Sequence, residues 1–153
     1  MTKGEQTEAL FREGCNCCQS VAGAFCDEIG LPRESVLRLA SGFGGGFGRL
    51  REVCGAFSGA TLVAGMLRGY SDPAADAEKT ATYAMIQRMA EQFKEQNGSL
   101  ICRELLCLTQ AEGTPQAEGR SEAYYQKRPC AQICRVAAEI LAEELARDAA
   151  GSV

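Results

Sequence analysis

Residues 54–67, CGAFSGATLVAGML, form a run in which almost every side chain is apolar or small. Such a run, without the alternation of a strand, predicts a helix that is buried over most of its surface. We place this helix at about 52–68 and expect it at the centre of the fold. Gly55 and Gly59 lie four residues apart on one face, where another helix can pack unusually close.

The segments on either side also repeat their apolar residues at helical spacing, and no alternating run of β-branched or aromatic residues predicts a strand. We therefore predict an all-α, single-domain bundle of about six or seven helices over residues 1–153, with a Gly-rich loop before the central buried helix. Asn16 and Gln19 predict a capping box, and the polar segment 109–123 predicts an exposed loop. The predicted helices lie at about 5–13, 17–29, 32–40, 52–68, 71–97, 99–106 and from 129 onward.

The charge balance and the apolar runs exclude two classes of partner. The chain has 16 Lys and Arg against 20 Asp and Glu, a net charge of −4, so no basic field attracts nucleic acid. Residues 1–14 lack the apolar core of a signal peptide, and the run at 62–67 is too short to span a bilayer. We expect no nucleic acid partner, no membrane span and a cytoplasmic location.

The chain contains nine cysteines and no histidine. An odd number of cysteines without secretory features argues against a disulfide framework and favours thiols that bind metal or carry redox chemistry. The lack of histidine excludes imidazole ligands and Ser-His or Cys-His nucleophile pairs. Any chemistry is therefore expected to be carried by sulfur.

Four cysteines fall in the first turns of four predicted helices. A helix N-terminus has unpaired N–H groups and the positive end of the helix dipole, which lower the pKa of a thiol. The thiolate is the form that binds metal and attacks disulfides. The candidate metal ligands, which would be the redox thiols of a metal-free site, are therefore Cys17, Cys54, Cys102 and Cys130.

The other five cysteines receive different predictions. Cys18, Cys26 and Cys134 lie within amphipathic helices, where cysteine behaves as a small buried apolar residue. Cys15 could supply an alternate ligand or a resolving thiol, because CNCC at 15–18 packs three thiols into four residues. The role of Cys107 stays open.

The loop before the central helix has five glycines in seven residues, GFGGGFG at 42–48. It is followed by Arg-Leu rather than by the Lys-Ser/Thr of a P-loop, and Phe47 occupies the third glycine position of the dinucleotide fingerprint. We therefore disfavour a nucleotide site. Glycine leaves backbone N–H groups open to an anionic centre, so the predicted cofactor-binding residues are Gly44, Gly45, Gly46, Gly55 and Gly59.

Several of these elements together resemble the C-GCAxxG-C-C family over roughly residues 8–145. They are GCNC at 14–17 with Gln19, CGAFSG at 54–59, NGSLICRELL at 97–106, and Cys130 at the start of the last helix. The resemblance implies redox activity and assigns the four characteristic cysteines to Cys17, Cys54, Cys102 and Cys130. This chain has Cys15 where the family commonly has an aromatic or aliphatic residue, and Cys18, Cys107 and Cys134 look like additions, so a site with more than four sulfurs stays open.

Three functions stay open, in the following order. Four thiolates are the usual ligands of an iron–sulfur cluster, which predicts a redox protein that acts as an electron-transfer protein or as an oxidoreductase. A cofactor-free site would exchange thiols with disulfides, and a four-cysteine zinc site would make an accessory module without catalysis. We also expect a redox partner protein, and a homodimer formed through the small-residue face of the central helix and the apolar last helix.

Overall fold

The computed structural model describes residues 1–108 and 114–151, and it confirms the all-α prediction. Those ranges contain nine α-helices and one 3₁₀ turn, and their β-type pairing is limited to one isolated bridge. The count exceeds the prediction because the second predicted helix is divided in two and because α8 was not predicted. The elements are α1 Lys3–Arg12, α2 Cys17–Ala24, α3 Cys26–Ile29, α4 Arg33–Ala40, the 3₁₀ turn Ser41–Phe43, α5 Gly55–Arg68, α6 Asp76–Asn97, α7 Cys102–Leu105, α8 Glu122–Lys127 and α9 Cys130–Gly151.

The start of α2 has the capping box that the sequence predicts. Asn16 Oδ1 accepts a hydrogen bond from the Gln19 backbone N–H at 2.9 Å, and Gln19 Oε1 accepts one from the Asn16 N–H at 3.0 Å. The predicted end of the same region at Gly30 is also confirmed, since Gly30 has a left-handed φ of 77°. The backbone at the head of α2 is therefore held by local side chains.

Other predicted helix bounds were wrong. The Ala24 carbonyl accepts a hydrogen bond from Lys3 Nζ at 2.8 Å, and the helix is interrupted at Phe25, with φ −109° and ψ 17°. The helix predicted at 71–97 is α6, and it begins at Asp76 rather than near residue 71. In the predicted loop, residues 114–121 contain no helix or strand, whereas Glu122 starts α8 and residues 109–113 lie outside the described residues.

The core is formed where α9 packs against α1, α2, α5 and α6, and where α2 packs against α1, α4 and α5. The prediction that residues 52–68 form a central buried helix holds for the first half of α5. Leu62 and Met66, in its second half, are 38% and 56% exposed. The largest fully buried side chains include Phe11, Val21, Phe25, Val63, Met89, Phe93 and Leu141.

Two surfaces expected to support a dimer are used inside this fold. The small-residue face of α5 lies against α2, because a Cβ added to Gly59 would meet the Cys18 carbonyl oxygen at 2.8 Å. The apolar side chains of α9, such as Ile140 and Leu141, are buried in the core. The homodimer stays a prediction, but neither the small-residue face of α5 nor the apolar side chains of α9 are left to form its interface. In the described ranges, every helix is too short or too polar to cross a membrane.

Candidate functional site

The glycine loop is a left-handed turn of the backbone. Residues 45–49 all have φ between 57° and 71°, and two of them, Phe47 and Arg49, are not glycine. Left-handed conformations cost a non-glycine residue roughly 1–2 kcal/mol each, so the surrounding structure must hold them. Part of that hold comes from backbone hydrogen bonds of Arg51 to Gly45 and of Glu52 to Gly46, both at 3.0 Å.

The strand-like pairing after this loop places two candidate cysteines next to each other. Val53 and Ile101 form the isolated bridge. The Cys54 N–H donates to the Leu100 carbonyl at 2.7 Å, and the Cys102 N–H donates to the Glu52 carbonyl at 2.6 Å. Residues 52–54 therefore pair with residues 100–102 instead of forming helix, which is why α5 begins at Gly55 and not at the predicted position near Glu52.

The four candidate cysteines lie at helix starts. Cys17, Cys102 and Cys130 are the first residues of α2, α7 and α9, and Cys54 is the N-terminal capping residue of α5. Cys54 was predicted near the third residue of its helix, and the extended pairing explains the difference. All nine cysteines of the chain are reduced thiols in the structure.

All four candidate cysteines line the same cavity, which has a volume of about 510 Å³. Cys54, Cys102 and Cys130 are buried, and Cys17 is half-buried. Their helices start in four separate parts of the chain, so the fold brings together thiols that are 37, 48 and 28 residues apart in sequence. Other residues lining the cavity include Gly44, Gly45, Gly46, Gly55, Arg49, Arg51, Glu118, Arg120 and Tyr124.

The thiol of Cys17 is coupled in its ionisation to the thiols of both Cys130 and Cys134. Cys134 also contacts the Cys17 backbone, with Sγ 3.9 Å from the carbonyl oxygen. On the opposite part of the site, Arg51 Nη1 donates to Cys102 Sγ at 3.6 Å.

The expected lowering of the thiol pKa at the helix starts was wrong for thiols that are not bound to a metal ion. Burial raises the pKa of Cys54 to about 12, although the backbone N–H groups of Ala56 and Phe57 act in the opposite direction. Burial also raises the pKa of Cys102, against the opposing effect of Arg51. The loss of hydration therefore outweighs the helix end.

The two remaining candidate thiols are coupled to each other. A hydrogen bond from Cys130 lowers the pKa of Cys17, but the contact with Cys134 and burial outweigh it and leave the pKa well above its ordinary value. The pKa of Cys130 is raised by the hydrogen bond with Cys17 first and by burial second. In the absence of a cation, these buried thiols are kept protonated.

The predicted glycines occupy two different positions around the sulfurs. Gly46 lies against Cys102, because a Cβ added there would come within 2.8 Å of the Cys102 Cβ. Gly55 lies against Cys17, because a Cβ added to Gly55 would lie 3.2 Å from the Cys17 Cβ. Gly59 lies one turn further along α5, against Cys18 and Val21, where it allows the close helix packing predicted for this face.

A segment without regular secondary structure covers one side of the cavity. Pro115, Ala117, Glu118 and Arg120 of this segment line the cavity. The Arg120 guanidinium donates to the carbonyl oxygens of Phe11 at 2.9 Å and Cys15 at 3.0 Å. It also lies over three aromatic rings, those of Phe11, Tyr124 and Tyr125, at 4.3, 4.9 and 5.8 Å from the ring centroids.

Sequence reasoning missed three residues of the site. Arg51 lies just before the predicted central helix, and Arg120 lies in the segment 109–123 that was predicted to be an exposed loop. Neither was predicted to be part of the site. Cys134 was interpreted as a core residue, which its complete burial supports, but it also contacts Cys17. Its position four residues after Cys130 places both thiols on one face of α9, and this spacing is the signal that could have revealed it.

The remaining cysteines lie away from these contacts. Cys15 is half-buried, and its carbonyl oxygen, rather than its thiol, is tied to Arg120. Cys18 is fully buried beneath Gly59, Cys26 is half-buried on α3, and Cys107 is exposed. Across residues 1–108 and 114–151, no three Cys, Asp or Glu side chains are arranged to hold a single metal ion.

A family model described as "Putative redox-active protein (C_GCAxxG_C_C)" matches residues 15–144. No significant match to the chain is found among curated proteins or among solved structures. The matched region includes all four cysteines that line the cavity and covers most of the chain. The chain therefore belongs to the C-GCAxxG-C-C family.

Proposed function

We propose that this is an electron-transfer protein whose four cysteines, Cys17, Cys54, Cys102 and Cys130, hold an iron–sulfur cluster. The observation that carries the proposal is that these four thiols, and the glycine loop, line one cavity. Four cysteine thiolates are the usual ligand set of a cluster. When bound, the cluster supplies one-electron transfer, while the chain supplies ligands, charge and protection from water.

The dimensions of the site favour a cluster over a single ion. A zinc ion needs four sulfurs at about 2.3 Å from one point. No three ligand side chains of the described residues are gathered in that way, whereas the cavity they share has a volume of about 510 Å³. A cluster with several metal atoms, each bound by a different cysteine, fits four thiols spread around a cavity better than a single ion does.

The backbone and the charges around the cavity suit an anionic group. Gly46 and Gly55 let the backbone approach Cys102 and Cys17 directly, because a Cβ at Gly46 would come within 2.7 Å of the Glu52 nitrogen and one at Gly55 within 2.9 Å of the Phe43 carbonyl oxygen. Arg49, Arg51 and Arg120 line the cavity together with Glu118, so arginines outnumber carboxylates there. Cations beside thiolates stabilise their negative charge, and Arg51 already donates to Cys102 Sγ.

The raised thiol pKa values give the binding step a proton requirement. Thiols must lose their protons to bind metal, so loading of this site releases protons and weakens as the pH falls. Burial disfavours an isolated thiolate in the cavity, and the metal supplies the missing positive charge. The metal-free site is therefore expected to be a set of neutral thiols.

Anaerobic reconstitution with ferrous iron and sulfide tests the proposal. We expect a brown protein that contains iron and acid-labile sulfide in stoichiometric amounts. Alanine substitution of any one of the four cysteines should remove most of the bound iron, whereas Cys26→Ala should not, because Cys26 lies on α3 outside the cavity. A colourless protein that takes up zinc only, or full iron content in all four variants, would contradict the cluster.

A second candidate function has one specific observation in its favour. Cys17 and Cys130 line the same cavity, and the ionisation of each thiol is coupled to the other, as for a neighbouring thiol pair. A protein that uses this pair without metal would exchange thiols for a disulfide with a redox partner. Metal-free protein that equilibrates reversibly with a mild thiol–disulfide couple, with no gain in iron on reconstitution, would favour this function.

A further inference from the structure

Arg51 is a buried arginine whose side chain reaches the sulfur site. It is 6% exposed and lines the cavity, and its Nη1 donates a hydrogen bond to Cys102 Sγ at 3.6 Å. Burial of a guanidinium is costly, because the group loses hydration and cannot lose its proton. A buried cation of this kind is stabilised by a neighbouring group that carries negative charge.

The glycine loop fixes the position of Arg51. Its φ of 60° lies in the left-handed region, which is unfavourable for a residue other than glycine. Its N–H donates to the Gly45 carbonyl at 3.0 Å, and its carbonyl accepts from the Arg103 N–H at 3.2 Å. A Cβ added to Gly46 would meet the Arg51 Cα at 2.9 Å and the Cys102 Cβ at 2.8 Å, so Gly46 allows both residues to lie against the loop.

We propose that Arg51 is a positioning residue that raises the reduction potential of the sulfur site through its hydrogen bond to Cys102. The inference rests on the proposed function, because it assigns Arg51 a role towards the cluster that the four cysteines would hold. Uptake of one electron makes such a site more negative, so a nearby cation stabilises the reduced form more than the oxidised form. Hydrogen bonds to the ligand sulfurs are among the factors that set the potential of a cluster.

The burial of Arg51 makes its charge more effective than that of a surface arginine. Water screens an exposed charge, whereas a buried charge acts through a medium of lower dielectric constant. Arg103 provides the comparison, since it follows Cys102 in the sequence but does not line the cavity. Its side chain is 39% exposed, and its Nη1 lies 3.3 Å from a carboxylate oxygen of Glu52. Removal of the Arg103 charge should therefore affect the site much less than removal of the Arg51 charge.

Anaerobic redox titration of reconstituted protein tests the inference. Wild type, Arg51→Met, Arg51→Gln and Arg51→Lys are loaded with ferrous iron and sulfide, and the visible absorbance is followed against the potential. In both neutral variants we expect the equilibrium constant for reduction to fall about tenfold, a shift of about 59 mV to lower potential for one electron. Arg51→Lys keeps the charge, so its potential should lie closer to that of wild type. Arg103→Met is the matched control, and its potential should equal that of wild type.

Circular dichroism and iron content, measured on the same samples, separate a shift in potential from a loss of fold or of metal. Loss of iron from both neutral variants, with full iron in Arg51→Lys, would also support the role of the charge. Equal potentials in wild type and the neutral variants would overturn the inference, as would loss of iron from all three Arg51 variants. A wild type that takes up no iron would overturn the proposed function and this inference with it, so the two failures give different results.

Discussion

The sulfur of Cys18 lies in an environment where burial dominates its ionisation. The side chain has no exposed surface, and burial raises the pKa of the thiol from 9.0 to about 12, with a smaller contribution from Cys54. Cys54 has a similarly raised pKa, despite its place at the start of α5. At the residue scale, the loss of hydration is therefore larger than the stabilisation that a helix end gives to a thiolate.

This difference predicts a loss of stability of the metal-free protein at alkaline pH. A folded-state pKa above the unfolded value gives stability that is fully present below about pH 9 and is lost as the pH rises towards 12. Cys18→Ala removes one such group, so between pH 9 and pH 10 the variant should lose about 1 kcal/mol less stability than wild type. Urea unfolding under reducing, anaerobic conditions measures the difference.

The comparison of slopes separates ionisation from packing. Alanine leaves a small cavity at position 18, which lowers the free energy of unfolding by the same amount at every pH. Equal pH dependence in the variant and in wild type would show that the buried thiol does not control this part of the stability.

At the scale of the elements, local signals could be predicted and non-local pairing could not. The capping box of Asn16 and Gln19 needs only residues three apart, and it was confirmed. The start of α5 depends on pairing between residues 51–54 and 100–103, which are almost fifty positions apart, and that prediction was wrong. A pattern within one segment carries no information about a partner so far away along the chain.

The close contact between α2 and α5 depends on Gly59. A Cβ at this position would meet the Cys18 carbonyl oxygen at 2.8 Å and the Val21 Cβ at 3.0 Å, and the carbonyl belongs to a helix backbone that cannot move alone. Gly59→Ala should therefore lower the free energy of unfolding by roughly 1–3 kcal/mol. It should also displace Cys17, at the head of α2, and reduce iron loading.

Gly65 on the same helix is the matched control for Gly59. Nothing lies within 4 Å of a Cβ added there. Gly65→Ala should be neutral or should stabilise the protein by up to about 1 kcal/mol, because alanine favours helix. Equal urea midpoints for the two variants would contradict the assignment of Gly59 to close packing.

At the scale of the whole molecule, the sequence could identify the four cysteines but not their shared cavity. The starts of α2 and α9 follow from local patterns, and the family resemblance points to the same four residues. The cavity depends on how α2, α5, α7 and α9 pack, as does the contact of Cys134 with Cys17. The fold class was predictable because each helix has its own periodicity, whereas the site is a property of the assembled core.

The assembled core also depends on one ion pair between the two longest helices. Glu144 of α9 is 2% exposed, and its Oε1 accepts hydrogen bonds from Arg88 of α6, at 2.6 Å from Nη2 and 3.1 Å from Nε. Arg147 lies further away, with Nη1 3.9 Å from the other carboxylate oxygen. Arg88 is therefore the cation nearest to a buried charge.

Removal of one partner should cost more than removal of both. Arg88→Met leaves the Glu144 carboxylate buried beside only the distant Arg147, and it should lower the free energy of unfolding by roughly 3 kcal/mol. In the double variant Arg88→Met with Glu144→Leu, no buried charge is left, so most of that stability should return. Urea unfolding of the single and double variants at neutral pH measures both effects. If the double variant were less stable than Arg88→Met, the pair would stabilise the α6–α9 contact through its own attraction, and the explanation by an uncompensated buried carboxylate would be wrong.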